Sequence, residues 1–475
     1  MNPISTEAQN KDGSATELSF ATLPLPEALL NNLASLGYAN MTPIQAKSLP
    51  VMLAGKDIIA QAKTGSGKTA AFGLSLLTHL KVEHYAVQAL VLCPTRELAE
   101  QVSQSLRQLA RLMPNVKVLN LSGGMPIRPQ NDSLRHGAHI IVGTPGRVQK
   151  HLDKESLSLA KVKTLVLDEA DRMLDMGFFE AIKSVLRYCP KQRQSLLFSA
   201  TYPPEIKQLA AEFLHNPEHV VIEERHTEID IAQSFYEVNN QSHKHLVVKA
   251  LLLHHKPTST LIFCNTKDQT VQLTETLRKE GFSATALNGD MEQVDRDLAM
   301  IRFINQSCSI LVATDVAARG LDIKELPAVI NFDLAFEHDV HIHRIGRTGR
   351  AGSKGLAISL TTPADAERLC AIEARLNKSL TFASLEDLQA SEVKNLQPQM
   401  VTLSLAAGKK DKIRPGDVLG ALTKDAGLAC DMIGKIDIGS LYSYVAIHHS
   451  QADKAFQYLQ NGKLKGRKIN VRKMR

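Results

Sequence analysis

The feature that most constrains the fold is a glycine-rich segment between a short strand and a long helix. The strand is predicted at 57–61, the segment Ala-Lys-Thr-Gly-Ser-Gly-Lys-Thr covers 62–69, and an apolar helical run covers 70–80. A tight loop that opens a helix presents backbone N–H groups and the positive end of the helix dipole to an anion. This order of elements is typical of a phosphate-binding loop in a parallel α/β sheet.

Each part of this loop has a predicted task in nucleotide binding. Lys68 is expected to reach the β- and γ-phosphates, and Thr69 to coordinate the Mg²⁺ of the nucleotide. The usual first glycine of the pattern is replaced by Ala62, and the other parts are intact. The loop residues that are predicted to surround the phosphates are Thr64, Gly65, Ser66 and Gly67.

A second apolar run ends in carboxylates. The run 164–167 predicts a buried strand, and Asp168, Glu169 and Asp171 follow it. Ligands of open α/β sheets bind at the carboxyl ends of the strands, where neighbouring carboxylates are costly unless a cation is close. One interpretation directs Asp168 to a magnesium ion on a nucleotide and Glu169 to a water. The alternative is a polar strand end without chemistry.

Strand and helix patterns alternate twice along the chain, which predicts two doubly wound parallel sheets. Between them, a linker is predicted near 221–230. Strands of the first sheet are predicted at 57–61, 89–93, 116–121, 139–143, 165–167 and 195–198, with helices between some of them such as 96–111. Strands of the second are predicted at 260–264, 283–287, 310–313, 329–332 and 356–360, with helices at 268–279 and 294–305.

Short polar segments follow the strands of the first sheet, so they are expected at one edge of it. Small hydroxyls, glycine N–H groups and arginines suit contacts with a nucleic-acid backbone. Each segment taken alone is also compatible with an ordinary turn. The segments are 94–96 (Pro-Thr-Arg), 123–124 (Gly-Gly), 144–147 (Thr-Pro-Gly-Arg) and 199–201 (Ser-Ala-Thr).

The second α/β domain has no phosphate loop, but Arg347 and Arg350 lie three residues apart in a glycine-rich segment. Such guanidinium groups can reach a γ-phosphate across a cleft in the manner of an arginine finger, and hydrolysis would then require closure. The nearby His338, His341 and His343 are not predicted to bind a metal, because no cysteine or carboxylate cluster joins them at ligand spacing.

The last 75 residues predict a small basic domain. Residues 401–475 hold 14 Lys and Arg against 6 Asp and Glu, and their pattern reads βαββαβ, as in RNA-recognition modules. Tyr442 and Tyr444 share one face of the third strand, where base stacking and packing at the sheet surface are both open. The basic residues expected to contact phosphate are Lys463, Lys465, Arg467 and Lys468.

Composition limits the setting. No run approaches 18 apolar residues, so no membrane partner is expected, and the polar first 19 residues lack a signal-peptide pattern. The six cysteines form no C-x-x-C pair, which favours a reducing cytoplasm over a disulfide framework or a zinc site.

The ordered motifs resemble one family, the DEAD-box RNA helicases, which have two RecA-like domains. The resemblance covers about residues 20–365. It rests on T-P-I-Q, A-K-T-G-S-G-K-T, P-T-R-E-L, G-G, T-P-G-R, D-E-A-D, S-A-T, N-G-D with Arg296, T-D-V-A-A-R-G-L-D and H-R-I-G-R-T-G-R. It implies ATP and Mg²⁺ as cofactors, RNA as partner and local separation of short duplexes.

The resemblance also implies a role for each matching residue. Phe20 and Gln45 would read adenine, Thr69 and Asp168 would hold the metal through the nucleotide, and Asp315 and Asp322 would contact the nucleotide. The catalytic set would be Lys68, Asp168, Glu169, Arg347 and Arg350. Coupling of hydrolysis to RNA would use Asp171, Ser199, Thr201 and His343. The RNA path would use Pro94, Thr95, Arg96, Gly124, Thr144, Arg147, Arg296, Thr314 and Arg319.

The C-terminal arrangement is similar to that of the DbpA-type branch, whose extra domain binds a large-subunit ribosomal RNA hairpin. We therefore expect a cytoplasmic, monomeric helicase that acts on 23S ribosomal RNA and large-subunit precursors, without a DNA substrate. Alternatives are a general RNA helicase in mRNA turnover or cold adaptation, a DNA helicase of the same superfamily and an ATP-gated RNA clamp. The expected domains are a tail (1–19), RecA-like domains (20–220 and 221–380), a linker (381–399) and an RNA-recognition-like domain (400–475).

Overall fold

The computed structural model describes residues 19–62, 65–124, 126–222, 231–318, 326–349, 355–376, 379–388 and 396–474. The chain divides into two compact units near residue 225. No helix within these ranges is long and apolar enough to cross a membrane. Four residues with predicted roles lie outside the described ranges: Thr64, Arg319, Asp322 and Arg350.

The first unit is built on a parallel sheet with helices on both faces. The strand order is β3-β4-β2-β5-β6-β1-β7, and every pairing in it is parallel. The strands are β1 (Ile58–Gln61), β2 (Ala89–Leu92), β3 (Val118–Leu121), β4 (Ile140–Gly143), β5 (Thr164–Leu167), β6 (Gln194–Ser199) and β7 (Glu218–Val221). The helices are α1 (Glu27–Ser35), α2 (Pro43–Leu53), α3 (Lys68–His79), α4 (Arg96–Leu109), α5 (Ile127–Arg135), α6 (Pro145–Asp153), α7 (Ala170–Asp175), α8 (Phe179–Leu186) and α9 (Pro204–Phe213).

The central strands are apolar throughout because both of their faces are buried. In β2, Ala89 and Val91 belong to one hydrophobic core, and Leu90 and Leu92 belong to the core on the opposite face. This double burial explains why the strands appear in the sequence as short continuous apolar runs.

The strand order divides the polar edge of this sheet into two halves. Because all strands are parallel, their carboxyl ends meet at the same edge. The Gly-Gly, Thr-Pro-Gly-Arg and Pro-Thr-Arg segments follow β3, β4 and β2, which are neighbours. The acidic stretch, the Ser-Ala-Thr segment and the phosphate loop follow β5, β6 and β1, which are also neighbours. Three of the four predicted nucleic-acid segments thus lie together, whereas the Ser-Ala-Thr segment lies beside the predicted nucleotide segments.

The second unit begins with another parallel sheet, in the order β10-β11-β9-β12-β13-β8. Its strands are β8 (Ile231–Glu237), β9 (Thr260–Phe263), β10 (Ala284–Leu287), β11 (Ile310–Ala313), β12 (Ala328–Asn331) and β13 (Gly355–Thr361). Its helices are α10 (Lys244–His255), α11 (Lys267–Lys279), α12 (Gln293–Ile304), α13 (Asp315–Ala318), α14 (His338–Ile345) and α15 (Ala366–Leu376).

A small antiparallel domain completes the second unit. Its sheet has the order β15-β16-β14-β17, with β14 (Met400–Leu405), β15 (Ile433–Ile438), β16 (Ser443–His448) and β17 (Val471–Lys473). The helices α16 (Pro415–Gly420) and α17 (Ala452–Asn461) cover one face, and a π-helical turn over Ala421–Asp425 extends α16. The predicted βαββαβ order is confirmed.

The opposite face of this small sheet contacts the preceding sheet domain. Thr402, at the centre of β14, is fully buried, and its hydroxyl lies 2.6 Å from the Ser307 hydroxyl and 3.3 Å from the Asn305 amide. Tyr444 lies on the same face, and its pKa is raised by burial, by Tyr442 and by Asp297 of α12. This face is therefore partly occupied by another part of the chain.

The predicted fold class, two parallel α/β sheets followed by a small α+β domain, is confirmed. The predictions missed two edge strands, β7 and β8. β7 reads Glu-His-Val-Val with only its third residue buried, so it lacks the apolar run that marks a central strand. The predicted linker near 221–230 starts at the last residue of β7.

Candidate active site and nucleic-acid interface

The phosphate loop is held by residues of α2. The Thr42 hydroxyl donates to the Ser66 carbonyl (2.8 Å), and the Gln45 amide donates to the Gly67 carbonyl (3.1 Å). Gly67 has a φ of +95°, and a Cβ there would lie 2.6 Å from Gln45 Nε2. Only glycine fits this close approach and this backbone conformation.

Lys68 opens α3 and is buried beside the loop. Its ammonium donates to the Ala62 carbonyl (2.8 Å). Ala62 thus contributes a backbone acceptor rather than the flexibility of the usual glycine. The lysine is held close to the loop that is predicted to receive the phosphates, and Thr69 follows it on the first turn of α3.

The two residues predicted to read adenine already make contacts with other parts of the protein. Gln45 is 1% exposed, and its carbonyl oxygen accepts from the Thr42 backbone N–H (2.8 Å). Contact with a base would require this amide to exchange partners. Phe20 packs in the core with its ring edge-on to Tyr38, which is 40% exposed. Adenine recognition by Phe20 and Gln45 stays a prediction, and the accessible aromatic ring here is Tyr38.

The Asp168 carboxylate has the properties of a cation ligand. It is 3% exposed, and its Oδ1 has no hydrogen-bond partner within the described part of the chain. Burial raises its pKa to about 6, with Glu169 adding to the rise and Lys68 opposing it. A buried carboxylate oxygen without a donor is costly unless a cation occupies the space beside it. The donor chemistry of Asp168 and Thr69 therefore fits a nucleotide-bound Mg²⁺.

Glu169 is held by a buried ion pair. Its backbone is left-handed (φ +53°), which turns the chain sharply between β5 and α7. Arg172 Nη1 donates to Glu169 Oε2 at 2.8 Å, and both side chains are about 6% exposed. Sequence reasoning missed Arg172, because the arginine follows the acidic motif without any pattern that marks it as a partner.

Asp171 joins the acidic stretch to the segment after β6. Its Oδ2 accepts hydrogen bonds from the backbone N–H groups of Ala200 and Thr201 and from the Thr201 hydroxyl, at 3.0–3.1 Å. Burial raises its pKa, but the Thr201 hydrogen bond and the nearby Arg172 outweigh burial, and the net pKa is lowered. The Ser199 hydroxyl is buried without a partner among the described residues. The contact thus links Asp171 to Thr201 and leaves out Ser199.

The other half of the edge brings two arginines together. A Cβ at Gly123 would lie 2.9 Å from Arg96 Nε, so this glycine lets the guanidinium lie over the backbone. Burial and the positive charge of Arg96 lower the pKa of Arg147. Two neighbouring guanidinium groups repel each other unless an anion neutralises them. The edge therefore offers a site suited to a phosphate.

The hydroxyls beside these arginines begin helices. Thr95 caps α4 by accepting from the Leu98 N–H (3.2 Å), and Thr144 precedes α6. Both side chains are less than 10% exposed, and Pro94 is buried. Contact between Thr95, Thr144 and RNA stays a prediction, and the capping bond of Thr95 shows that this residue also stabilises the local fold.

In the second unit, Arg344 is the centre of a buried polar network. Its side chain is 1% exposed and makes two hydrogen bonds of 2.7 Å to the Asp315 carboxylate. It also donates to the Asp333 carbonyl (2.6 Å) and to Asn265 Oδ1 (2.8 Å). Lys244 pairs with the Asp333 carboxylate at 3.1 Å. Asp315 is thus held in place before any nucleotide binds.

The remaining predicted residues of this unit lie on α12 and α14 or directly after β11 and α14. Thr314 follows β11 and is 8% exposed, Arg347 follows α14 and is 8% exposed, and Arg296 lies on α12. His343 lies on α14 and is half-buried. His341 is buried against Phe235, and burial lowers its pKa to about 4. No metal-binding cluster of His, Cys, Asp and Glu occurs in the ranges that the structure covers.

The predicted basic contacts of the C-terminal domain are exposed but not equivalent. Lys465 lies 3.2 Å from Asp417, and Arg467 lies 3.6 Å from Asp411. Lys463 and Lys468 form no such ion pair within the described residues. Tyr442 is exposed, whereas Tyr444 is only partly exposed.

Comparisons with known proteins agree with this division of the chain. The DEAD/DEAH box helicase family model matches residues 42–209, the helicase conserved C-terminal domain matches 242–352, and the DbpA RNA binding domain matches 402–473. Among curated relatives, the ATP-dependent RNA helicase DbpA of Escherichia coli is 50% identical over 96% of this chain and 99% of its own. DbpA of Bacillus subtilis is 36% identical with the same coverage. Saccharomyces cerevisiae Dbp5 bound to RNA and ADP BeF3 superposes with a TM-score of 0.71, at 32% identity, over 78% of this chain and 96% of that one.

The two RecA-like domains and these relatives define the class, and the chain belongs to the DEAD-box ATP-dependent RNA helicases. Within that class it resembles the DbpA type, since its C-terminal domain matches the RNA-binding domain of that name. The prediction of an ATP-dependent RNA helicase is confirmed.

Proposed function

We propose that this helicase uses ATP with Mg²⁺ to remodel large-subunit (23S) ribosomal RNA during ribosome assembly. The observation that carries the proposal is the basic C-terminal domain, which matches the DbpA RNA binding domain over 402–473. A polyanion-binding module on a near-neutral body suits a tethering role, because phosphate contacts supply most of the affinity for nucleic acid.

In the proposed mechanism, Lys68 and the loop around Gly65, Ser66 and Gly67 would hold the phosphates, and Thr69 and Asp168 would hold Mg²⁺. The metal would neutralise charge on the β- and γ-phosphates. Glu169 orients and activates the attacking water, and Arg172 holds Glu169 in its turn conformation. Arg347 and Arg350 stabilise the transferring phosphate from the second domain, and Asp315 and Asp322 contact the nucleotide.

RNA would lie along the half of the edge formed by β3, β4 and β2. Arg96 and Arg147 contact its phosphates. Asp171 couples ATP hydrolysis to RNA binding through its hydrogen bonds with Thr201. The other proposed RNA contacts are Pro94, Thr95, Gly124, Thr144, Arg296, Thr314 and Arg319, with Ser199 and His343 in the coupling. The expected domain boundaries, a cytoplasmic location and a monomeric state are part of the proposal.

The target is tested by measuring ATP turnover with fragments of 23S ribosomal RNA as activators. The full chain is compared with residues 1–399 and with the full-length double variant Lys463→Ala, Lys468→Ala. We expect the full chain to prefer one fragment, and both altered proteins to lose that preference while unstructured RNA still activates them. Unchanged fragment preference would favour a general RNA helicase. Tight RNA binding without turnover would favour an ATP-gated clamp.

A further inference from the structure

Gln130 lies where two segments of the proposed RNA path meet. It is on α5, it is 8% exposed, and its amide donates to the Ser122 carbonyl at 3.1 Å, next to the Gly-Gly segment. Its carbonyl oxygen accepts from Arg147 Nη1 at 2.8 Å, in the Thr-Pro-Gly-Arg segment. One buried side chain therefore connects the ends of β3 and β4.

His151 completes this network from α6. It is fully buried, with Nε2 2.9 Å from Gln130 Oε1 and Nδ1 2.8 Å from the Ser156 hydroxyl. Because Gln130 Oε1 already accepts from an arginine, His151 must carry its proton on Nε2 and donate as well. Burial first, and then Arg147 and Lys154, lower the pKa of His151, which keeps the ring neutral near pH 7.

These contacts fix the orientation of the Gln130 amide. If the amide were reversed, its NH₂ group would face the guanidinium of Arg147, so a donor would meet a donor. Its carbonyl oxygen would also face the Ser122 carbonyl. The observed orientation is the one that satisfies every partner, so the side chain is a rigid acceptor for Arg147.

Arg147 needs such a restraint before RNA arrives. The Arg96 guanidinium lies over Gly123, next to the Ser122 carbonyl that Gln130 contacts, and its positive charge acts on Arg147. A long side chain that is free to move would turn away from that charge. We propose that Gln130 is a positioning residue for RNA binding, which holds Arg147 beside Arg96 so that the two guanidinium groups share one phosphate of the RNA backbone. The inference rests on the proposed RNA path, and it adds a residue that does not itself touch RNA.

The test is a double-mutant cycle in the full-length protein between Gln130→Met and Arg147→Met. ATP turnover is measured against the concentration of a single-stranded RNA at several salt concentrations. Each single variant should raise the RNA concentration for half-maximal turnover roughly tenfold, the effect of one lost charge-assisted contact, with an unchanged KM for ATP. The slope of log affinity against log salt should become less negative by about 0.7, the value for one phosphate on a single strand. Gln130→Met should add no further effect in the Arg147→Met background.

Two further variants keep the test decisive. Gln130→Glu retains the acceptor and pairs with Arg147 but loses the donor to the Ser122 carbonyl, and it should lose about 0.7 of the salt slope. Gln104→Met, a matched change at an exposed glutamine bonded to Glu100, should leave RNA activation unchanged. Additive effects of Gln130→Met and Arg147→Met, or an unchanged salt slope in Gln130→Glu, would overturn the inference alone. If Arg147→Met itself changes neither half-saturation nor slope, the RNA path through Arg147 is wrong, and the inference is wrong with it.

Discussion

Replacement of Arg344 by methionine should destabilise the second unit by about 3 kcal/mol. The guanidinium is buried and makes two hydrogen bonds of 2.7 Å to Asp315, besides those to Asn265 and the Asp333 carbonyl. Removing one partner of a buried ion pair costs about 3–5 kcal/mol, because the other charge is left uncompensated. We take the lower end because the Asp315 side chain is still 21% exposed.

The assay is thermal unfolding of the full chain, followed at the transition of the second unit. For a domain of this size, about 3 kcal/mol corresponds to a fall in Tm of roughly 6–12 °C. Arg344→Lys should give an intermediate fall, since lysine keeps the charge but loses the two-pronged contact.

The matched control is Lys249→Met, which removes a partly exposed surface pair with Glu280 at 3.4 Å. Surface pairs contribute about 0–1 kcal/mol, so the Tm should fall by no more than a few degrees. Equal falls in Arg344→Met and Lys249→Met would refute the view that the buried network organises this unit.

Three further predictions concern the nucleotide and RNA sites. Gly67→Ala should abolish ATP binding, measured by titration with a non-hydrolysable analogue, because the new Cβ would lie 2.6 Å from Gln45 Nε2. The control is Gly420→Ala, whose Cβ would have no atom within 4 Å. Equal affinities of the two variants for the analogue would contradict the steric argument. The pKa of Asp168 is raised to about 6, so its charged form is lost as the pH falls through 6. Affinity for the analogue should therefore fall near this pH when Mg²⁺ is present and should not fall when Mg²⁺ is absent. A pH dependence that persists in Asp168→Asn would contradict this. The double variant Lys463→Ala, Lys468→Ala should weaken RNA binding, measured by fluorescence anisotropy, more than Lys465→Ala, Arg467→Ala does. The reason is that Asp417 and Asp411 already neutralise part of the charge of Lys465 and Arg467. The reverse order would show that these ion pairs do not reduce the contribution of Lys465 and Arg467 to RNA binding.

Much of the fold is encoded in local pattern. β11 occupies the predicted 310–313, and most other predicted strands differ from the observed ones by one or two residues, because central parallel strands are apolar on both faces. The first helix of the predicted βαββαβ pattern is observed as α16 followed by a π-helical turn. The edge strands β7 and β8 were missed because exposed and half-buried positions interrupt the apolar run that marks a central strand.

The site divides in the same way. Residues of contiguous motifs, such as Lys68 and Asp168, could be identified from strand–loop context. The contacts of Gln130 and Arg344 could not, since their partners come from other elements, up to 79 residues away for Arg344 and Asn265. Arg344 lies in the H-R-I-G-R-T-G-R motif, but the motif does not show that this arginine is buried against Asp315, and only the three-dimensional packing reveals that contact.

In the proposed mechanism, ATP and RNA occupy two halves of one sheet edge, and Asp171 and Thr201 couple them. This coupling is tested by steady-state ATP turnover of the full chain with saturating RNA, with DNA of the same sequence and without nucleic acid. We expect strong activation by RNA alone, loss of turnover in Lys68→Ala, and retained ATP and RNA binding in Glu169→Gln. Turnover that proceeds equally fast without RNA would contradict it.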